Sequence, residues 1–302
     1  RSTLFPYTTL FRSPAGDKLA NTITCVINTA AMVKHQGVYE AFYQTNVRSV
    51  ANIIQFASTG IPKTVHHVSS NGIMFGAYPD GDNRTLFTEY DCDRGQTFTN
   101  YYLRSKFEAE KIIMQARQTQ GMNINIYRAG SIMFDSSSGH FQRNMAENTA
   151  YMFFRAFKKM GIAPADLDFS FDITFVDQLA DAMTRIILSG VSLNDVYHMV
   201  NPNRSNLSEV FRHGLVAKNL RPMNFSEVCE FFERHFEDET YRPYIQDVLY
   251  NCEMIALLNR HAKQLTTRRT ERLLKKLDFN WRPVSDEMIA RAMHYAEKAA
   301  YI

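Results

Sequence analysis

Tyr102 and Lys106 stand four residues apart in the stretch Tyr101 to Lys111, YYLRSKFEAEK. On a helix an i,i+4 pair shares one face, and Ala109 and Ile113 continue that face at helical spacing. A tyrosine and a lysine emerging side by side from a mostly apolar face suit proton transfer. The ammonium favours the phenolate, so it is expected to lower the tyrosine pKa and make the hydroxyl a usable donor near neutral pH. The same spacing also fits two side chains that rest their stems on a core and keep their tips in water. What lies upstream decides between them.

The elements that must position the pair read as a strand–helix alternation. Thr22 to Ile27 is short, β-branched and apolar, which predicts a buried parallel strand running into Asn28-Thr29-Ala30-Ala31. Small residues at that exit leave room for a ligand, and open α/β sheets bind ligands at the carboxyl ends of their strands. A tight strand exit accounts for them equally. Tyr39 to Ala57 predicts a helix whose inner face carries Asn46, Val50, Ile53 and Ala57. A buried amide needs partners, so Asn46 either braces a neighbouring strand or joins a proton relay. A second strand, Thr64 to Val68, ends in Ser69-Ser70-Asn71-Gly72, hydroxyls placed to meet a substrate oxygen or simply to form a turn. The loop from Gly76 to Thr99 leads to the Tyr102 helix, and Asn123 to Tyr127 makes a further strand leaving through Arg128-Ala129-Gly130. The alternation predicts an α/β fold, a doubly wound parallel sheet.

Composition narrows the classes. With 45% hydrophobic and 22% charged residues, the 302-residue chain is an ordinary globular one. Residues Arg1 to Ser13, RSTLFPYTTLFRS, match the in-frame translation of a common sequencing adapter and are set aside as non-native. Arg1 and Arg12 supply two of the formal +3 charges, leaving +1, which does not suggest nucleic-acid binding. Cys25, Cys92, Cys229 and Cys252 show no paired spacing and read as reduced, buried thiols. No apolar run is long enough to span a bilayer, and the cytoplasm is the expected compartment.

INTAA, Asn46-Val47, HHVSS and YYLRSK occur in the order and spacing of an extended short-chain dehydrogenase/reductase. Together with VKHQGVYEAFYQTNV, NIYRAG and GHFQRNMAENTAY, they make the chain resemble the terminal thioester reductase domain of nonribosomal peptide synthetases, a group related to carboxylic acid and fatty acyl-CoA reductases. The likeness runs from about Leu19 to the C-terminus and is most specific from Val26 to Asn148. It implies a Rossmann-like sheet lacking its first strands over residues 14–130, with a last sheet strand in VYHMVNPN, Val196 to Asn203. Residues 131–302 would form a substrate-binding, mostly helical region.

The resemblance also implies roles. Tyr102 would donate the proton to the substrate oxygen, and Lys106 would hold the nicotinamide ribose. Ser70 would hydrogen-bond the same oxygen, with Ser69 and Asn71 as neighbours able to substitute. Asn28, Thr29, Ala30, Ala31, Asn46 and Ser69 would line the cofactor, and Arg128, Ala129, Gly130, Ser131 and Ile132 would approach the nicotinamide. NADPH is the implied cofactor, and a phosphopantetheine-bearing carrier protein the implied partner, with no nucleic acid, membrane or metal. Three departures stand out. Phe175 replaces the proline of the family's Thr-Pro-Val-Asp stretch, and Ser131-Ile132-Met133 replaces the usual Asn-Leu-Thr. The glycine-rich pyrophosphate loop is expected upstream of Pro14, so the chain as given is expected to be inactive. Gly16-Asp17 stays unassigned.

In the C-terminal part, Ser226 is expected to cap a helix through Phe236, and Ser285 one to Ala300. Trp281, Phe231, Phe232 and Phe236 read as core. Lys263, Arg268, Arg269, Arg272, Lys275 and Lys276 form a basic stretch, either a solvated helix face or a carrier-docking surface. The function expected is reductive release of a carrier-bound thioester as aldehyde or alcohol. The alternatives are a carboxylic acid or fatty acyl-CoA reductase, a nucleotide-sugar epimerase or dehydratase, and a non-catalytic docking module on the same fold.

Overall fold

A computed structural model describes residues 14–34, 37–82, 84–166, 170–191, 194–206, 210, 220–260 and 264–302. The adapter-like residues 1–13 and Lys263 of the basic stretch lie outside them. The chain divides into two compact units. The first holds the residues up to Ala129, Met183–Met199 and His261–Asp278; the second holds Gly130–Ala182, Val200–Arg260 and Phe279–Ile302.

The first unit is built on four parallel strands, β1 (Cys25–Asn28), β2 (Thr64–Ser70), β3 (Ile124–Ala129) and β4 (Val196–Met199), adjacent in that order. The helices α1 (Pro14–Ala20), α2 (Tyr39–Phe42 and Ser49–Ala57, joined by a π-helical turn Tyr43–Arg48) and α3 (Tyr101–Gln120) belong to it. Strand β1 starts three residues later than the sequence predicts. Thr22 Oγ1 donates to the Lys18 carbonyl and the Ile23 amide to Leu19, so this segment closes α1 instead of opening the strand. Asn28 pairs with His67, Ser70 with Ala129, and Ala129 with Met199. Parallel pairing in this register brings the carboxyl ends of all four strands to one edge. Val50, Ile54 and Ala57 of α2 and Ala109, Ile113 and Ala116 of α3 bury with Val65, Ile124, Ile126 and Val196 in one cluster. Each crossover thus covers the sheet with its apolar helix face.

The second unit carries α4 (Thr149–Met160), α6 (Phe225–His235), α7 (Arg242–Arg260) and α9 (Asp286–Lys298) around an aromatic core, while α5 (Val176–Leu188) belongs to both units and α8 (Arg268–Lys276) to the first. Tyr151, Phe154 and Phe157 of α4 cluster with Ile245 and Val248 of α7 and with Ile289, Ala292 and Met293 of α9. Asn224, not Ser226, caps α6: its side chain accepts from the Glu227 amide while the Glu227 carboxylate accepts from the Asn224 amide. The extended backbone at Asn224 makes that reciprocal box possible, and Ser226 falls inside the first turn. Ser285 caps α9, which ends at Lys298. Trp281 and Phe232 are buried and Phe231 packs on the core, but Phe236 is 38% exposed because it follows the last turn of α6. Cys25 and Cys252 are exposed, against the expectation of buried thiols, and all four cysteines are unpaired.

Candidate active site

Helix α3 starts where Asn100 accepts a hydrogen bond from the Leu103 amide, 3.0 Å. Leu103 settles on Gly72, where a Cβ would stand 2.5 Å from Leu103 Cδ2 and 3.0 Å from Ser70 Oγ. Only glycine permits that approach, and it seats the start of α3 against the end of β2. There the Tyr102 phenol lies beside Ser70, whose Oγ accepts from the Gly72 amide at 3.0 Å. Ser69 Oγ is buried on the other face of the strand without a protein partner. Of the neighbouring hydroxyls, Ser70 is the one beside Tyr102.

Lys106, one turn along, is buried and donates to the Val68 carbonyl at 2.7 Å. Burial lowers its pKa to about 8, with the Glu110 carboxylate pulling the other way. Burial likewise raises the Tyr102 pKa, and the neighbouring Ser70 hydroxyl opposes it. This corrects the expected depression by Lys106: the ammonium is turned to the strand carbonyl, and desolvation of the phenolate dominates. Tyr102 therefore holds its proton at neutral pH, which is the state a donor needs.

The exit of β1 is fixed by Asn28, whose Nδ2 meets His67 Nδ1 at 3.0 Å and whose Oδ1 accepts from the Ala30 amide at 3.2 Å. Because Nδ1 accepts, the His67 proton sits on Nε2, which is buried without a partner. Thr29 and Ala30 are exposed and Ala31 is half-buried. Asn46 lies in the π-helical turn and is 2% exposed. Its amide accepts from the Met32 amide at 2.7 Å, donates to the Met32 carbonyl at 3.0 Å, and donates to Ser105 Oγ at 2.9 Å. Asn46 is a brace between the β1 exit and α3, next to Lys106 in sequence through Ser105.

Arg128, expected to approach the nicotinamide, is engaged in a buried network of protein groups. Its guanidinium is wholly buried and holds Glu110 through Nε (3.1 Å) and Nη2 (2.8 Å). It also donates to the Asp91 carbonyl (2.6 Å), the Thr88 carbonyl (3.4 Å) and His198 Nε2 (3.1 Å). His198 Nδ1 donates to the Thr266 carbonyl at 2.7 Å, so the ring stays neutral; burial and Arg128 lower its pKa to about 3. Strand alternation sends the Arg128 side chain into this network.

Gly130, Ser131 and Ile132 lie in the second unit. A Cβ on Gly130 would stand 2.1 Å from Asp172 Oδ2. That carboxylate accepts from the Ser131 amide at 2.5 Å and from Thr174 Oγ1 at 3.1 Å. Ile132 and Met133 pair in parallel with Thr174 and Phe175. Phe175 in the place of proline therefore supplies a ladder partner and a fully buried ring against Phe134.

The family model described as Male sterility protein, an NAD-binding domain, matches residues 12–183. The chain belongs to this family. Its members bind a nicotinamide dinucleotide, and every site residue named above from Asn28 to Ile132 falls within the matched span. A linear gramicidin synthase of Brevibacillus parabrevis is 25% identical over 92% of this chain, which covers 5% of that protein. A carboxylic acid reductase of Segniliparus rugosus is 26% identical over 60% of the chain and 16% of its own length. The chain thus spans a small part of the curated relatives it matches. In fold it is similar to a thiolation-reductase di-domain of an archaeal nonribosomal peptide synthetase (TM-score 0.81, 24% identity, 94% of this chain and 59% of that one). It is also similar to the reductase domain of a Mycobacterium tuberculosis synthetase (TM-score 0.73, 21% identity, 96% and 73%). The family sheet is Rossmann-like, with the four parallel strands described here.

His67, Ser105 and Glu110 beside Lys106 and Asn46 in the first unit, and Asp172 beside Ser131 in the second, are groups that the sequence did not single out. Glu110 carried a signal: it continues Tyr102 and Lys106 at i+8 on the same helical face. The other three were marked only by their neighbours in space.

Proposed function

We propose that this chain is the catalytic part of an NADPH-dependent reductase that releases an acyl or peptidyl group from a carrier protein by reducing its thioester. The observation that carries the reading is the placing of Tyr102 beside Ser70 with Lys106 one turn away. The residues fit a nicotinamide dinucleotide: one donor of the Lys106 ammonium is taken by Val68, leaving two to face ribose hydroxyls. The small residues Thr29 to Ala31 leave the backbone at the β1 exit open to a ligand. Bound there, the cofactor supplies hydride to the thioester carbonyl carbon. Ser70 and Tyr102 orient the carbonyl oxygen by hydrogen bonding and stabilise its developing charge. Tyr102 delivers the proton that its raised pKa retains. Collapse of the resulting hemithioacetal breaks the carbon–sulfur bond and yields an aldehyde and a thiol; a second round yields an alcohol.

Helix α8 supports the carrier as partner. Thr270 and Leu274 are buried while Arg268, Arg272, Lys275 and Lys276 are exposed, a basic face suited to an acidic protein or a phosphopantetheine phosphate. Arg269 is taken by Asp195 and is not part of that face.

The test is NADPH consumption by the chain joined upstream of Pro14 to the pyrophosphate-binding segment of a relative, given three substrates. Carrier-bound thioester should turn over with much higher kcat/KM than the same acyl group on a truncated thiol, because binding energy from the arm and carrier orients the carbonyl. Turnover only with a nucleotide sugar would replace the assignment by an epimerase- or dehydratase-type enzyme. Equal efficiency on free and carrier-bound thioester would favour a stand-alone acyl-CoA reductase.

A further inference from the structure

Lys106 is a buried cation, and burial alone would drive off its proton. Glu110 lies one turn further along α3 on the same face, with no side-chain exposure. Its carboxylate does not face solvent or a surface lysine. It is fixed by Nε and Nη2 along one edge of the Arg128 guanidinium, which is itself tied to the carbonyls of Thr88 and Asp91 and to His198. A buried ion pair contributes little net stability, and an apolar pair of similar volume often serves as well. The sequence nevertheless places this pair directly behind Lys106.

We propose that Glu110 is a positioning residue for the reaction, an anchored anion that keeps Lys106 cationic in its buried site, and that Arg128 holds it there. The inference rests on the reading of Lys106 as the group that holds the cofactor ribose. Glu110 faces Lys106 from its own helix, where Tyr102 stands one turn earlier, and His67 faces it from β2. Tyr102 and His67 are neutral: burial raises the pKa of the phenol, and burial together with Lys106 keeps the imidazole well below its usual range. Glu110 is therefore the charged group acting on Lys106. Arg128 sets how strongly it acts, because a guanidinium clasped to the carboxylate neutralises part of its field.

The two partners of the pair thus move Lys106 in opposite directions. Replacing Glu110 by Gln should lower the Lys106 titration midpoint by about one pH unit or more. Replacing Arg128 by Leu should raise it, since Glu110 then acts unopposed. A purely structural role predicts something else: loosening the core admits water, and both substitutions then raise the midpoint toward the ordinary lysine value.

The experiment is an NMR titration of the chain with ¹³C-labelled lysine side chains, in which Lys106 is assigned by its loss in Lys106→Arg. Parent, Glu110→Gln and Arg128→Leu are compared. A lower midpoint in Glu110→Gln with a higher one in Arg128→Leu supports the proposal; an unchanged or raised midpoint in Glu110→Gln overturns it. If Glu110→Gln does not fold, the apolar double variant Glu110→Met/Arg128→Leu decides, and its Lys106 must titrate below the parent for the proposal to stand. The readout needs neither cofactor nor substrate, so it fails or succeeds independently of the thioester assignment.

Discussion

Helices α3 and α4 are both buried along one face, but with different side chains. Helix α4 buries Tyr151, Phe153, Phe154, Phe157 and Met160. Helix α3 buries Lys106 and Glu110 beside Phe107, Ala109 and Ile113, and starts with Tyr102 against Ser70. Burying aromatic surface stabilises a fold directly, at roughly 25 cal/mol per Å². Burying a lysine and a glutamate costs free energy unless each is met by a partner. The first helix is explained by packing. The second departs from what packing favours, and its departures fall in a row at i, i+4 and i+8. Such a row marks chemistry more specifically than any of its members alone.

Substitutions that break this comparison should separate activity from stability. The largest effect is expected from Tyr102→Phe in the reductase assayed as above. In the proposed mechanism the hydroxyl acts on the substrate oxygen, so turnover should fall by about 10²–10⁴-fold with little change in NADPH affinity. Turnover within a few-fold of the parent would remove Tyr102 from the mechanism. In helix α4 the order reverses. Phe157→Ala should cost roughly 3–5 kcal/mol in urea unfolding, because a fully buried ring leaves a cavity. A loss below about 1 kcal/mol would mean that this core is not packed as described.

The buried pair behind Lys106 sharpens the contrast. Arg128→Leu alone should destabilise by about 3–5 kcal/mol, since it strands a buried carboxylate, while Glu110→Met/Arg128→Leu should lie close to the parent. Calorimetric unfolding of the single and double variants measures both, and a double variant as unstable as the single would show that the pair itself stabilises the fold.

The pH dependence of Lys106 has a defined sign. Its folded pKa, about 8, lies below the ordinary lysine value of 10.5. Between the two the unfolded chain binds more protons, so stability contributed through Lys106 rises with pH across that window, by at most about 3 kcal/mol. Cofactor affinity that depends on the ammonium falls through the same window. Parent minus Lys106→Met unfolding free energy, measured from pH 7 to 10.5, should therefore increase; a flat difference would place the Lys106 pKa near its ordinary value. The smallest effect belongs to a surface feature of the second unit: Asn224→Ala removes the capping-box acceptor of α6 and should cost about 1 kcal/mol in the same urea assay.

Much was legible in the sequence because it depends on local periodicity. Two of the four strands of the parallel sheet, β2 and β3, were placed within one residue at their starts, since short β-branched runs between turn residues have few other readings, and β4 was placed through the family resemblance. The i,i+4 pair on α3 was legible for the same reason. The error at Thr22 arose where a helix end and a strand start share β-branched residues, and only the hydrogen bonds to Lys18 and Leu19 separate them. The Ser226 cap failed because the helix starts earlier, at Phe225, where the extended backbone of Asn224 makes that residue the cap.

What the sequence by itself determined is the Tyr102–Lys106 pair on one helix face, and the strand and helix that carry Ser70 and that pair, because these follow from periodicity along the chain. What only the tertiary structure decided is their electrostatics. Whether Lys106 acts on Tyr102, whether Arg128 faces a ligand or Glu110, and whether Asn46 braces Met32 or relays a proton depend on which atoms meet across the sheet. Coulomb and desolvation energies are functions of distance and burial, and neither is written in the order of residues.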